Sequence, residues 1–192
     1  PSAANQPGSF RLSYVLQRGD GLSASFIAYP DTESADGGGY LLLLAGTPEL
    51  KPDQKTQKRE ITVVMDRSGS MRGPKMEQAK AAALQVVEGL APGEAFNIID
   101  YSDSINSFKP QPIVKTDQTM AEARDYIKAI QAGGGTNIKD SMVEALRPEP
   151  AAGMLPMILF LTDGLPTVGE RNEVAIRESI KAQNAGKRRI FS

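Results

Sequence analysis

The chain has 192 residues, of which 40% are hydrophobic and 23% are charged, and its formal net charge is −1. This composition excludes an intrinsically disordered chain and suits one globular domain with a substantial core and a smaller appendage. The net charge is near zero and the chain has no basic patch, so the composition argues against nucleic acid as a partner. The absence of His and Cys excludes a Ser-His-Asp triad, disulfide bonds and the nitrogen and sulfur ligands that zinc and copper prefer.

The first 57 residues predict a disordered tail (residues 1–9) followed by a β-rich segment and a charged linker (residues 10–57). Apolar residues alternate or run together in three stretches, and turn residues such as Gly19 and Gly21 separate them. We therefore expect a small antiparallel meander with strands at residues 10–16, 22–29 and 39–45. The longest apolar run is too short to span a bilayer, so this segment should not insert into a membrane.

Residues 58–192 alternate strand patterns with helix patterns. Continuous β-branched runs predict buried strands, and apolar residues three or four apart predict amphipathic helices. In chain order we predict a strand at 61–65, a helix from Pro74, a strand at 96–101 with an antiparallel partner at 104–108, a helix bearing Met120 and Ile127, a helix ending before Pro148, a strand at 157–161, a helix bearing Val174, Ile176 and Ile180, and a strand from Ile190. This order predicts an α/β fold, with a doubly wound, mostly parallel sheet flanked by helices and one antiparallel edge strand.

Three oxygen-bearing side chains follow the first of these buried strands, namely Asp66, Ser68 and Ser70. In open α/β sheets the ligand crevice lies beyond the carboxyl ends of the strands. Alternate residues of a tight loop can turn their oxygens inward, and Gly69 permits a backbone conformation that a side chain would obstruct. Hard oxygen ligands suit Mg²⁺, with Mn²⁺ and Ca²⁺ as alternatives. The motif therefore predicts a site for a divalent cation.

Two later segments are expected to complete this site. Three glycines precede Thr136, which opens a predicted helix with Asn137 as its N-cap and offers a hydroxyl. The strand at 157–161 leads to Asp163, as the first strand leads to Asp66. If these two strands are neighbours in the sheet, both carboxylates face one crevice.

Together these motifs resemble the metal-ion-dependent adhesion site of the von Willebrand factor A (VWA) domain family. The resemblance covers residues 58–192 and implies a Rossmann-like VWA fold. It also implies that four side chains approach the cation, namely those of Asp66, Ser68, Ser70 and Thr136. Asp163 would act on the cation directly or through a water molecule. In such domains one coordination position is left for the acidic group of a protein partner, an Asp or a Glu.

The chain also looks similar to bacterial proteins that resemble inter-alpha-trypsin inhibitor heavy chains, in which a β-rich module precedes the VWA domain. VWA domains usually continue with another helix and strand after the strand that begins here at Ile190. We therefore expect the domain at 58–192 to be incomplete at its C-terminus. The resemblance favours the cell envelope or the cell exterior as the location of the protein.

Simpler interpretations of these motifs stay open. Ser68, Ser70 and Thr136 also suit turn and cap positions, and Asp163 suits a turn.

We expect a non-enzymatic, cation-dependent module for adhesion or assembly. The alternatives are a metal-assisted hydrolase or phosphotransferase with Asp66 as nucleophile in the same crevice, and a scaffold domain with a vestigial metal site. Phosphatases of the haloacid dehalogenase type carry a second acid where Ser68 lies, which argues against phosphoryl chemistry.

Overall fold

The computed structural model describes residues 23–30, 38–46 and 57–192. The chain divides into two compact units, with the boundary between Lys55 and Thr56. Each unit contains a β-sheet of its own.

In the first unit, two strands pair in antiparallel fashion, β1 (Ser23–Pro30) and β2 (Gly39–Gly46). They correspond to the second and third strands of the predicted meander, and this part of the prediction is confirmed. The predicted tail at 1–9, strand at 10–16 and turn at 18–21 lie outside the described residues.

The second unit contains the alternating strands and helices that the sequence predicts. They are β3 (Arg59–Asp66), α1 (Pro74–Glu88), β4 (Ala95–Tyr101), β5 (Ile105–Ser107), β6 (Ile113–Val114), α2 (Asp117–Ala129), α3 (Ile138–Leu146), β7 (Leu155–Leu161), α4 (Glu173–Gln183) and β8 (Arg189–Phe191). A 3₁₀ turn over Gly69–Met71 lies between β3 and α1. Asn137 caps α3 by accepting a hydrogen bond from the backbone N–H of Asp140, as predicted.

Six described strands form one sheet in the order β5-β4-β3-β7-β8, with β6 also paired to β4. β4, β3, β7 and β8 are parallel, whereas β5 and β6 are antiparallel to β4. The doubly wound sheet with an antiparallel edge is thereby confirmed. β3 and β7 are direct neighbours, and Met65 pairs with Leu161 at their ends. The loops that follow these two strands therefore leave the sheet side by side.

The central strand β3 is buried on both of its faces. Val63 and Met65 belong to a core shared with apolar residues of α1 and α2. Val64 belongs to a second core on the opposite face, which includes Met142 of α3 and Phe160 of β7. A strand covered on both faces explains why its sequence is a continuous apolar run without alternation.

Helix α4 contains the three apolar residues predicted for it, but they do not share one face. Ile176 is buried, whereas Val174 is 59% exposed. Two residues along an α-helix turn the side chain by about 200°, so positions 174 and 176 point in nearly opposite directions. The predicted helix is confirmed, and Val174 lies on its exposed side.

A buried ion pair connects the start of β3 to the start of β8. The Arg188 guanidinium donates to the Glu60 carboxylate and, at 3.0 Å, to the backbone carbonyl of Pro148. The second Glu60 oxygen accepts the N–H of Ala151 at 2.5 Å. Neither charged side chain is exposed by more than 1%. Each charge depends on the other for compensation, because water does not reach either of them.

We predict that Arg188→Met lowers the free energy of unfolding by about 3–5 kcal/mol, because it leaves the buried Glu60 carboxylate without its counter-charge. The control is Arg124→Met, which breaks a half-exposed ion pair with Glu88 and should cost at most about 1 kcal/mol. Urea denaturation monitored by circular dichroism measures both. Equal losses in the two variants would contradict the structural role of the buried pair.

Candidate functional site

The first site residue, Asp66, is the last residue of β3 and is completely buried. One of its carboxylate oxygens accepts the backbone N–H of Ser68 at 2.7 Å, and the other accepts the hydroxyl of Thr162 at 2.8 Å. Two donors from two different loops therefore fix the orientation of this carboxylate. Thr162 follows β7, so the bond also joins the ends of the two neighbouring strands.

A run of hydroxyl hydrogen bonds leads from the interior to the surface. The Ser68 and Ser70 hydroxyl oxygens are 3.0 Å apart, and the Ser70 hydroxyl donates to Asp163 Oδ1 at 2.8 Å. Ser68 is buried, whereas Ser70 is exposed. The structure therefore brings Ser68, Ser70 and Asp163 into direct contact, although 93 positions separate Ser70 from Asp163 in the sequence.

The glycine-rich loop is docked on the serine loop by two backbone hydrogen bonds. Gly133 N–H donates to the Arg67 carbonyl at 2.7 Å, and Gly69 N–H donates to the Gly134 carbonyl at 2.9 Å. This docking brings the loop that carries Thr136 to the same edge of the sheet. Among the described residues, no side-chain hydrogen bond joins Thr136 to the other four predicted ligands.

The backbone of Thr136 is held by hydrogen bonds with Thr167 and Val168, in the loop that follows β7. Its N–H donates to the Thr167 hydroxyl at 2.9 Å, and its carbonyl accepts the N–H groups of Thr167 and Val168 at 3.0 and 3.2 Å. The side chain is 4% exposed. Thr136 is therefore placed by fixed backbone contacts with the loop that follows Asp163.

Asp103 is a site residue that the sequence analysis missed. Its Oδ1 atom accepts the N–H of Gly135 at 2.9 Å, and its carboxylate lies where a side chain at Gly134 or Gly135 would be. The glycines are therefore required for close packing against Asp103 as much as for loop flexibility. In the sequence, this position is marked only by a Ser-Asp-Ser run after β4. Such a run is common in turns, so it does not identify a site residue.

Two further residues missed by the sequence analysis are Thr162 and Lys75. Thr162 belongs to the Thr-Asp-Gly motif, but its role as a donor to Asp66 follows from the strand pairing. Lys75, the second residue of α1, donates to Asp163 Oδ2 at 2.5 Å. Its ammonium group lowers the pKa of Asp163 below the ordinary value, and the hydrogen bond from Ser70 lowers it further. Asp163 is therefore ionised at neutral pH.

The buried hydroxyl of Tyr101 lies close to the charged part of the site. Burial raises the pKa of Tyr101, and the Asp66 carboxylate raises it further, so the phenol stays neutral. Its oxygen has no hydrogen-bond partner among the described residues. Unpaired buried polar atoms are uncommon, and this hydroxyl lies beside Thr162 and Asp66, which both affect its pKa.

The donor set fits a hard divalent cation. Two carboxylates and three hydroxyls occupy the loops at this edge, and the described part of the chain holds no group of three or more His, Cys, Asp or Glu residues that would hold a metal ion. A cation here would therefore be held mainly by neutral oxygens. Such oxygens suit magnesium, calcium or manganese and do not suit softer metals.

Residues 59–192 match the family model described as "von Willebrand factor type A domain". The chain belongs to this family. VWA domains form a family of protein-interaction and adhesion modules. The resemblance predicted from the three motifs is thereby confirmed at the level of the family.

Among curated proteins, the chain is similar to inter-alpha-trypsin inhibitor heavy chains. It is 33% identical over 184 residues to heavy chain 4 of Mus musculus, a match that covers 88% of this chain and 19% of the relative. The match to heavy chain H2 of Homo sapiens has 32% identity over 162 residues and covers 80% of this chain and 17% of the relative. The chain therefore spans about a fifth of the length of these relatives.

Solved structures with low sequence identity confirm the VWA fold. A von Willebrand factor type A protein from Catenulispora acidiphila aligns with a TM-score of 0.63 and 19% identity, covering 89% of this chain and 39% of that one. An aerotolerance-related membrane protein from Bacteroides fragilis aligns with a TM-score of 0.54 and 21% identity, covering 69% and 65%. The vWF domain of the type V pili tip protein Mfa5 from Porphyromonas gingivalis aligns with a TM-score of 0.51 and 20% identity, covering 59% of this chain and 40% of that one.

A helix that crosses a bilayer needs a long and predominantly apolar stretch of chain. Among the residues that the structure describes, no helix meets this requirement.

We predict that Gly135→Ala disrupts the glycine loop, because the new Cβ atom would lie 2.4 Å from Val168 Cγ2 and 2.8 Å from Asp103 Oδ1. The expected loss is about 1–3 kcal/mol of unfolding free energy. Gly133→Ala is the matched control, since no atom lies within 4 Å of the position that its new Cβ atom would take, and it should be neutral or stabilising by up to about 1 kcal/mol. Chemical denaturation distinguishes them, and a larger loss for Gly133→Ala would contradict the packing role of Gly135.

Proposed function

We propose that this VWA domain is a protein-binding module for adhesion or assembly that depends on a divalent cation. The proposed ligands are the five residues expected from the sequence: Asp66, Ser68, Ser70, Thr136 and Asp163. The observation that carries the proposal is the hydrogen-bond run from Ser68 through Ser70 to Asp163, which gathers oxygen atoms from two separate loops. Turn or cap roles alone would not require these loops to share one cluster.

The charges of the site favour an acidic partner. Among the five proposed ligands only Asp66 and Asp163 are acidic, and Lys75 adds one positive charge at the edge of the site, so these three groups together carry a net charge of about −1. A bound divalent cation would supply an excess positive charge and a coordination position that a carboxylate can occupy. Mg²⁺ is the proposed ion, with Mn²⁺ and Ca²⁺ as alternatives.

The accessible side of the site determines how a partner would approach. Ser70 is exposed, whereas Asp66, Ser68 and Thr136 are buried. The partner's Asp or Glu side chain would therefore enter on the side of Ser70 and Asp163. The buried residues would hold the opposite side of the cation and keep the surface loops in place.

The geometry gives less support to a metal-assisted hydrolase or phosphotransferase. That function needs a nucleophile with a free oxygen, and both oxygens of Asp66 accept hydrogen bonds inside the protein. The carboxylate is also completely buried, so a substrate would have to displace the Thr162 hydroxyl to reach it. The proposed role as a metal ligand demands less, because each Asp66 oxygen has a second lone pair that could coordinate a cation while the oxygen keeps its hydrogen bond.

A location in the cell envelope or outside the cell is part of the proposal, and it rests on the family. Two proteins with similar folds are described as a membrane protein and as a pilus tip protein. A module that joins proteins through a divalent cation suits compartments in which that ion is abundant.

We predict that the metal-stripped wild-type protein is stabilised by Mg²⁺ in a saturable manner, by about 2.7 kcal/mol at 100 times the dissociation constant. Asp66→Asn should strongly weaken this stabilisation, because it removes one of the two negative charges among the proposed ligands that would attract the cation. Asp125→Asn, which changes an exposed acid on α2, should retain it. Thermal unfolding in EDTA and in a titration of Mg²⁺, Mn²⁺ and Ca²⁺ measures the effect. No response from folded wild-type protein would favour the scaffold function.

Partner binding needs its own assay. A peptide library that contains Asp and Glu, with Asn and Gln versions as controls, would be screened in Mg²⁺ and again in EDTA. We expect acidic peptides alone to bind, and only with Mg²⁺. Binding that persists in EDTA would contradict cation dependence.

A further inference from the structure

Lys75 places a positive charge where the helix dipole disfavours it. It is the second residue of α1, which begins at Pro74 after Gly73 with a φ angle of 77°. Helix N-termini carry a partial positive charge and favour acidic residues, so a lysine here costs free energy. The contact with Asp163 offsets this cost, because the ammonium group lies 2.5 Å from Asp163 Oδ2.

The contact uses the carboxylate that the proposed cation needs. Asp163 Oδ1 accepts the Ser70 hydroxyl, and Oδ2 accepts Lys75. Both oxygens are therefore engaged, one of them by an internal cation. The Asp163 side chain is 15% exposed and that of Lys75 is 57% exposed, so the ammonium group can move into solvent without a change in the fold.

We propose that Lys75 is a built-in competitor for the divalent cation, an inference that rests on the proposed function. Its ammonium group neutralises Asp163 when no metal is bound and repels a divalent ion that approaches the same carboxylate. Lys75 therefore stabilises the metal-free domain and weakens metal binding. A purely structural ion pair would stabilise the metal-free domain without weakening metal binding.

The size of the effect follows from the exposure of the pair. Exposed ion pairs are worth up to about 1 kcal/mol, which corresponds to about a fivefold change in an equilibrium constant. Removing the lysine should therefore tighten metal binding by about fivefold. The change should shrink at high salt, because mobile ions screen interactions between exposed charges.

The test compares Mg²⁺ binding to wild type and Lys75→Gln by isothermal titration calorimetry, with melting temperatures measured in EDTA. Lys75→Gln should bind Mg²⁺ about fivefold more tightly and melt at a lower temperature when metal-free. Lys75→Arg, which keeps the charge, should behave like wild type. Lys128→Gln removes the same charge from the last turn of α2 and should leave Mg²⁺ affinity unchanged.

The outcomes separate this inference from the proposed function. Tighter binding with lower metal-free stability supports the competitor role. Unchanged affinity with lower stability would make Lys75 a structural residue, and weaker binding would make it a support for Asp163; both results overturn the inference while the proposed metal site stands. No Mg²⁺ binding by wild type or by Lys75→Gln would overturn the metal site and the competitor role together.

Discussion

The parallel pairing of β3 with β7 is the constraint on which the rest of the site depends. Met65 and Leu161 pair at the ends of these strands, so the chain leaves both strands at the same level of the sheet. Asp66 and Thr162 are thereby brought within 2.8 Å of each other. A shift of one residue in this register would turn Asp66 toward the opposite face of the sheet, because successive side chains of a strand alternate in direction. The polar residues near the two ends of β3 oppose such a shift, because it would separate Glu60 from Arg188 and Asp66 from Thr162.

Burial of Asp66 is tolerated because the surrounding loops supply hydrogen bonds. An ionised carboxylate without partners in a dry interior is strongly destabilising. The Ser68 N–H and the Thr162 hydroxyl each satisfy one of its oxygens. The domain thus holds its polar cluster with internal donors, and the cluster leads from the buried Asp66 to the exposed Ser70. A partner that binds at the accessible end does not have to open the core.

The sequence predicts the sheet and the polar residues at its edge because both depend on local patterns. Apolar runs identify β3, β4 and β7, and the polar motifs directly follow two of them. β6 was not predicted, since its two residues, Ile113 and Val114, are too few to form a periodic pattern. The contact between Lys75 and Asp163 joins residues 88 positions apart, and a lysine at the start of a helix predicts no particular partner. Such contacts depend on where α1 meets the sheet edge, which single-sequence periodicity does not specify.

Under the proposed function, the charge balance of the site would allow one domain to be stable without metal and still bind it. With Lys75 in contact, Asp163 already has a counter-charge, so the metal-free cluster carries little of the carboxylate repulsion found in strongly acidic metal sites. The cost is a weaker attraction for the incoming cation, since part of the negative charge is already neutralised. In the proposed module, this weaker attraction would suit a contact that forms and dissociates as the supply of cation and partner changes. The surface position of Lys75 would allow this balance to be adjusted by a single residue outside the core.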